Sequence, residues 1–270
     1  VIVSSAAETA ARRVRLDGVE FDALTELEVA AAVVSRSSDG GGGFVLTPNV
    51  DILRQVRRPP LDAIATEADL VVADGMPLIW ASRLVGTPLP ERVTGASLIW
   101  SISRAAAAAG RSVFLLGGDD GVAEAAARRL PAEIPDLVVA GWHFPPFGFE
   151  ADPALFADVV EALRLAEPAV VFVGLGFPKQ EFVIRRLRSE FPALWFVGCG
   201  ASLTFAAGRI SRAPSWMQRH GLEWLHRLAK EPRRLARRYL IEDAPYTLGL
   251  LARSSIRRAA GMATTRGNKS

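Results

Sequence analysis

Four short stretches place reactive or anion-binding side chains directly after apolar runs. The run Leu70-Val71-Val72-Ala73 ends in Asp74-Gly75. A carboxylate where a buried strand gives out is rigid, partly stripped of water and aimed into the adjoining crevice, which suits a general base. The same place suits a helix cap, with Gly75 allowing a tight turn. In "LTPNVDIL" (46–53), Thr47 and Asn49 follow another strand, where they either cap the next helix or meet a ligand. "PERVTGASL" (90–98) sets Arg92, Thr94 and Gly95 ahead of an alanine-rich helix, so a guanidinium and free helix N–H groups can act on one anion. In "VGLGFPKQEF" (173–182), Gln180 and Glu181 fall in a helix's first turn, where they bind hydroxyls or simply dress the turn. That stretch fails as a G-x-G-x-x-G dinucleotide fingerprint, because Lys179 stands where the third glycine is required.

"LLGGDDGVAEAA" (115–126) is a strand, a Gly117-Gly118 turn and a helix, and the glycines let a ligand approach the backbone. Asp119 and Asp120 stand where helix caps belong, so they make poor evidence for a metal. With three histidines and one cysteine, a soft-metal cluster is not expected, and no intrachain disulfide can form.

These side chains need a scaffold, and the chain's periodicity supplies one. Apolar runs at 43–46, 70–73, 112–116, 137–140, 169–174 and 194–198 alternate with amphipathic helical patterns at 121–130, 153–166 and 178–191. That alternation predicts a doubly wound α/β fold: a mostly parallel, Rossmann-like sheet covered on both faces, with ligands at the carboxyl ends of its strands. Four regions are expected: a mobile start (1–15), a catalytic domain (16–208), a basic helical appendage (209–252) and a disordered tail (253–270). "SRSSDGGGG" (35–43) reads as a flexible loop.

The formal net charge of +3 conceals an asymmetry. From Arg209 onward there are 14 Lys/Arg against 4 Asp/Glu, whereas the preceding residues hold 18 against 25. A basic tail on an acidic body points to an anionic surface. Arg212, Arg219, Arg227, Arg233, Arg234 and Arg237 are its candidate contacts to a membrane or a lipid diphosphate. Trp216 and Trp224 suit an interface. No apolar run reaches the roughly 18–20 residues a membrane span requires, so a cytoplasmic, peripherally bound protein is expected. A nucleic-acid-binding protein would explain the tail but leaves Asp74, Arg92 and Gln180 without a purpose, and no nucleic acid is expected as a partner.

Taken together, "TPNVDIL", "ADLVVADGMPLIWASRLVGTPLPERVTGASL", "VFLLGG", "VFVGLGFPKQE" and "VGCGASLTFAAG" resemble the WecG/TagA/CpsF family of bacterial glycosyltransferases over about residues 15–240. The resemblance implies inverting, metal-independent transfer from a UDP-sugar, typically of the N-acetylmannosamine type. The acceptor would be a polyprenyl-diphosphate-linked N-acetylglucosamine in cell-surface polysaccharide or teichoic acid synthesis. UDP-glucose or a UDP-uronic acid is the alternative donor. Asp74 then matches the family's proposed base and Thr47 an active-site threonine, with Asn49, Arg92 and Gln180 as binding residues. No cofactor is implied, and a homo-oligomer stays open. The glycine-rich insertion (39–43) and the polar extension after 253 depart from the family's pattern.

Overall fold

The computed structural model describes residues 12–210, 213–214, 216–217, 222–230 and 232–267. Arg212 and Arg219, and the side chains of Arg227 and Arg234, lie outside the described residues.

A hairpin opens the described chain, β1 (Arg13–Leu16) and β2 (Val19–Asp22). Asp17 and Gly18 turn it with φ of 48° and 98°, the left-handed pair that matches the twist of two antiparallel strands. Val14, Leu16, Val19 and Phe21 face inward while the residues between them are charged. This hairpin crosses the boundary expected at residue 15; the Asp-Gly signal flanked by alternating apolar residues marks it in the sequence.

Six parallel strands follow: β3 (Gly43–Leu46), β4 (Leu70–Val71), β5 (Ser112–Gly117), β6 (Val138–His143), β7 (Val170–Gly174) and β8 (Trp195–Gly198). Their order across the sheet is β4-β3-β8-β7-β5-β6. The four inner strands are buried almost throughout, because helices cover both faces. One face carries α2 (Val50–Gln55), α3 (Asp62–Glu67), α4 (Met76–Val85), α7 (Pro153–Ala166) and α8 (Lys179–Glu190); the other carries α1 (Glu26–Ser38), α5 (Gly95–Ala108), α6 (Val122–Glu133) and α9 (Ser202–Ala206). Crossovers toward β4 use the first face and the β5–β6 crossover the second, while the long β4–β5 connection passes α4 on the first face before α5 on the second. The chain steps outward from β3 to β4, then jumps across the sheet to β5. The crevice lies at that reversal.

The glycine run at 39–43 is ordered for close approach. A Cβ on Gly42 would fall 2.1 Å from the Pro192 carbonyl oxygen, and one on Gly43 would fall 2.5 Å from the Trp195 ring. The Trp195 indole N–H donates to the Gly41 carbonyl at 2.8 Å. Glycine is needed here for space, which corrects the expectation of a flexible loop.

Beyond the sheet lie α10 (Glu223–Lys230), α11 (Pro232–Ala236), a π-helical turn (Arg237–Asp243) and α12 (Ala244–Gly267). Pro232 opens α11, where its missing N–H costs nothing. The last helix packs on α4, buries Leu250 in the core and continues past residue 253. Alanine, leucine and arginine dominate there, and these favour helix. Asp17 in the hairpin turn ties α12 down. It accepts from the Tyr246 hydroxyl at 2.6 Å and the Arg253 guanidinium at 2.7 Å, and pairs with Arg57 at 3.0 Å.

Candidate active site

Asp74 sits beyond β4 on a backbone that is still paired. The parallel ladder between β3 and β4 continues past both strand ends, with Val72 N–H donating to Leu46 at 3.0 Å and Asp74 N–H to Pro48 at 2.9 Å. Asp22, itself 4% exposed, accepts the Val71 N–H at 2.8 Å, so the hairpin closes the outer edge of β4. The Asp74 carboxylate is half-buried. It does not occupy the cap of the next helix. That place belongs to Gly75, with no side-chain cap bond, and this corrects the expectation that Asp74 serves as a cap too. Likewise Gly121, rather than Asp119 or Asp120, stands at the cap of α6.

Asn49 does cap: its side-chain oxygen accepts from Ile52 N–H at 3.0 Å at the start of α2. Thr47 is buried and donates to the Gly198 carbonyl at 3.3 Å, which leaves its oxygen lone pairs as acceptors. A Cβ on Gly75 would lie 4.0 Å from Asn49 Cα, so the two strand-end turns touch.

The Arg92-Val93-Thr94-Gly95 segment joins two of these turns. Val93 N–H donates to Ala73 at 3.0 Å, which places Arg92 and Asp74 on adjoining loops. Thr94 caps α5 through Ser97 N–H at 3.0 Å. Gly95 begins the helix so close to β8 that a Cβ would stand 3.1 Å from Cys199 Cα. The first N–H groups of α5 thus open beside the β8 turn, with the positive end of the helix dipole behind them. Arg92 is only 16% exposed and pairs at 3.2 Å with Glu223 of α10, 13% exposed. The C-terminal helices therefore reach the crevice.

On the β7 side, Gln180 and Glu181 are buried at the start of α8 rather than displayed on its surface. Gln180 accepts from Gly200 N–H at 3.0 Å and donates to Glu181 at 2.8 Å. Burial pushes the Glu181 acid up to about 7, partly offset by the bond from Gln180. Gly117 and Gly118 take φ of 94° and 83°, and Gly118 N–H donates to Gly174 at 2.8 Å. That amide is engaged at the strand ends, where both glycines are closely packed.

Asp74, Thr47, Asn49, Arg92, Thr94, Gly95, Gln180 and Glu181 thus come from four loops at one edge of the sheet. Their links run from the Asp74 loop through Val93 to Gly95, and from Thr47 through Gly198 to Gln180. Arg233 and Arg237 are exposed, and Arg237 pairs with Glu242. Sequence reasoning missed Glu223, whose only signal was an acid opening a basic helix. Among the described residues no cluster of three or more His, Cys, Asp or Glu side chains could hold a metal ion.

An open α/β sheet with a carboxylate and an arginine on adjoining loops at its carboxyl edge is the architecture in which α/β enzymes hold their ligands. The chain matches the model of the glycosyl transferase WecG/TagA/CpsF family over residues 14–260 and belongs to that family of glycosyltransferases. It is 34% identical over 197 residues to a protein of Bacillus spizizenii, covering 73% of this chain and 74% of that one. A Staphylococcus aureus protein is 30% identical over 229 residues, covering 83% and 87%. A Bacillus subtilis protein is 31% identical over 188 residues, covering 70% of each chain. All three are named N-acetylglucosaminyldiphosphoundecaprenol N-acetyl-beta-D-mannosaminyltransferase.

Proposed function

We propose that this protein is an inverting, metal-independent transferase. It moves a sugar of the N-acetylmannosamine type from UDP to a polyprenyl-diphosphate-linked N-acetylglucosamine. The names of its relatives supply the acceptor class and the β product. A β product from an α-linked UDP-sugar requires a single displacement with inversion.

The observation that carries the reading is the Val93-to-Ala73 bond, which locks the loop bearing Arg92 to the loop bearing Asp74. In the reaction, an acceptor hydroxyl oxygen attacks the anomeric carbon as Asp74 takes its proton. The bond from that carbon to the β-phosphate oxygen breaks, and UDP leaves with the electron pair. Arg92 and the α5 N-terminus are placed to meet the charge that develops on the phosphate. An incoming diphosphate must share Arg92 with Glu223 or displace it. Thr47 and Asn49, at the adjoining turn, are assigned to hydroxyls of the two sugars.

Membrane binding belongs to the same reading. Leu240, Ile241, Leu248 and Ile256 are 58%, 69%, 70% and 67% exposed on the C-terminal helices. Exposed Arg233, Arg237 and Arg257 accompany them. That composition suits the surface of an anionic bilayer, where a lipid-linked acceptor resides.

The test is product analysis. With a chelator present, UDP-N-acetylmannosamine and the lipid-linked acceptor should yield a lipid heavier by one N-acetylhexosamine with a β linkage. An α linkage would overturn inversion, and product formed only after metal is restored would overturn metal independence. Product from UDP-glucose or a UDP-uronic acid alone would reassign the donor.

A further inference from the structure

We propose that Glu181 is a positioning residue: it fixes the Gln180 amide, and through that amide the Gly198–Gly200 turn at the mouth of the crevice, without touching a ligand. This rests on the reading of that crevice as the donor and acceptor site.

Glu181 is 3% exposed, and its Oε1 accepts from Gln180 Nε2 at 2.8 Å. That bond fixes which end of the Gln180 amide faces which way, and leaves its oxygen to accept the Gly200 N–H at 3.0 Å. Gly198 has no room to escape this arrangement, since a Cβ there would fall 2.9 Å from Gln180 Nε2 and 3.4 Å from Glu181 Oε1. The Gly198 carbonyl in turn accepts from Thr47. A chain of bonded groups therefore runs from Glu181 to Thr47.

The second carboxyl oxygen, Oε2, is buried with no hydrogen-bond partner. An ionised carboxylate in that state would carry a large desolvation cost, whereas a neutral acid has a much smaller one. Surrounding charges do not pair with it. On α8, Lys179 binds Glu150 at 2.8 Å, and Arg185 binds Glu67 of α3 at 2.7 Å. Arg188 binds Asp69, just before β4, at 2.7 Å. Arg185, Glu67 and Arg188 line the groove of about 360 Å³ that Glu181 also borders, with Phe44 and Ile64 on its apolar side. From β8 the turn offers only Cys199, a buried thiol whose ionisation burial opposes. Burial opposes the charge more strongly than the Gln180 bond favours it, so the acid is neutral while it holds Gln180. Once ionised, the unpartnered Oε2 is satisfied only by moving toward water, which releases the turn.

Cys199 is the chain's single cysteine and lies within this turn, so its labelling by a thiol reagent reports whether the turn is closed. Labelling of any thiol rises with pH as thiolate forms, so E181Q, which keeps the acceptor oxygen but cannot ionise, is the reference. The wild-type rate divided by the E181Q rate should rise about tenfold between roughly pH 6 and 8.5, following the ionised fraction of an acid that titrates near 7. Glu181→Ala should label faster than E181Q throughout that range, with circular dichroism showing it folded. In turnover, wild-type kcat should fall as pH rises through about 7 while that of E181Q should not. A flat ratio, or E181A as protected as E181Q, overturns the proposal even if the enzyme is active. A ratio that rises in a protein that transfers no sugar from any UDP donor would instead sink the proposed function and leave this clamp standing.

Discussion

In the proposed mechanism Asp74 acts through its placement, held by a backbone bond to Pro48 and half-removed from water. Replacing it with asparagine keeps the shape and removes the base, so turnover should fall about 10²–10⁴-fold. UDP affinity by titration calorimetry should change little. Parity in turnover would take Asp74 out of the mechanism. Gly95 is constrained differently. Gly95→Ala would push a methyl to 3.1 Å from Cys199 Cα, and overpacking of this kind costs about 1–3 kcal/mol, readable as a lowered Tm. The identity of these residues was legible because chemistry-bearing types follow apolar runs directly. Their partners were not. That Gln180 binds Gly200, and Glu223 binds Arg92, depends on segments 20 and 131 residues away, which no local pattern specifies.

At the scale of elements, the sheet was legible strand by strand because continuous apolar runs mark strands buried on both faces. The run at 70–73 forms only a two-residue strand, but Val72 and Ala73 stay buried and the pairing to the chain leaving β3 carries on to Asp74. The C-terminal helices were harder to read: composition marks them as basic, but only packing shows which carboxylates hold them. Two carboxylates predict opposite pH behaviour. Burial raises the Asp17 acid, but Tyr246, Arg253 and Arg57 outweigh it and hold the group below its ordinary value. Its contribution is therefore present above the unfolded value and lost as pH falls. Asp17→Asn should cost stability at neutral pH and progressively less in acid, as followed by thermal melts. Asp243 is pushed up to about 6 by burial and by Asp51, against Arg238 and Arg54. Its contribution is present in acid and lost as pH rises through that value. Asp243→Asn should therefore melt higher relative to the wild type at pH 7.5 than at about pH 4.

The whole molecule combines an acidic body with a basic set of helices that both packs on α4 and reaches Arg92 through Glu223. Among the described residues no helix is long and apolar enough to cross a membrane. In the proposed function, the exposed apolar side chains of the π-helical turn and α12 meet the bilayer surface. Vesicles rich in anionic lipid should sediment the protein, and salt should weaken the association as charge is screened. Leu248→Ser with Ile256→Ser should weaken it further while leaving the fold intact, because both residues point outward. Equal binding to neutral vesicles at every salt concentration would argue against the electrostatic part. Under the proposed function, this crevice transfers a sugar from UDP to a lipid-linked acceptor, with Asp74 as the base. UDP release from a panel of UDP-sugars, with and without a polyprenyl-diphosphate-linked N-acetylglucosamine, tests it beside Asp74→Asn. Release should occur with an N-acetylmannosamine-type donor, depend on acceptor and collapse in the variant. Release indifferent to acceptor, or undiminished in Asp74→Asn, would contradict it.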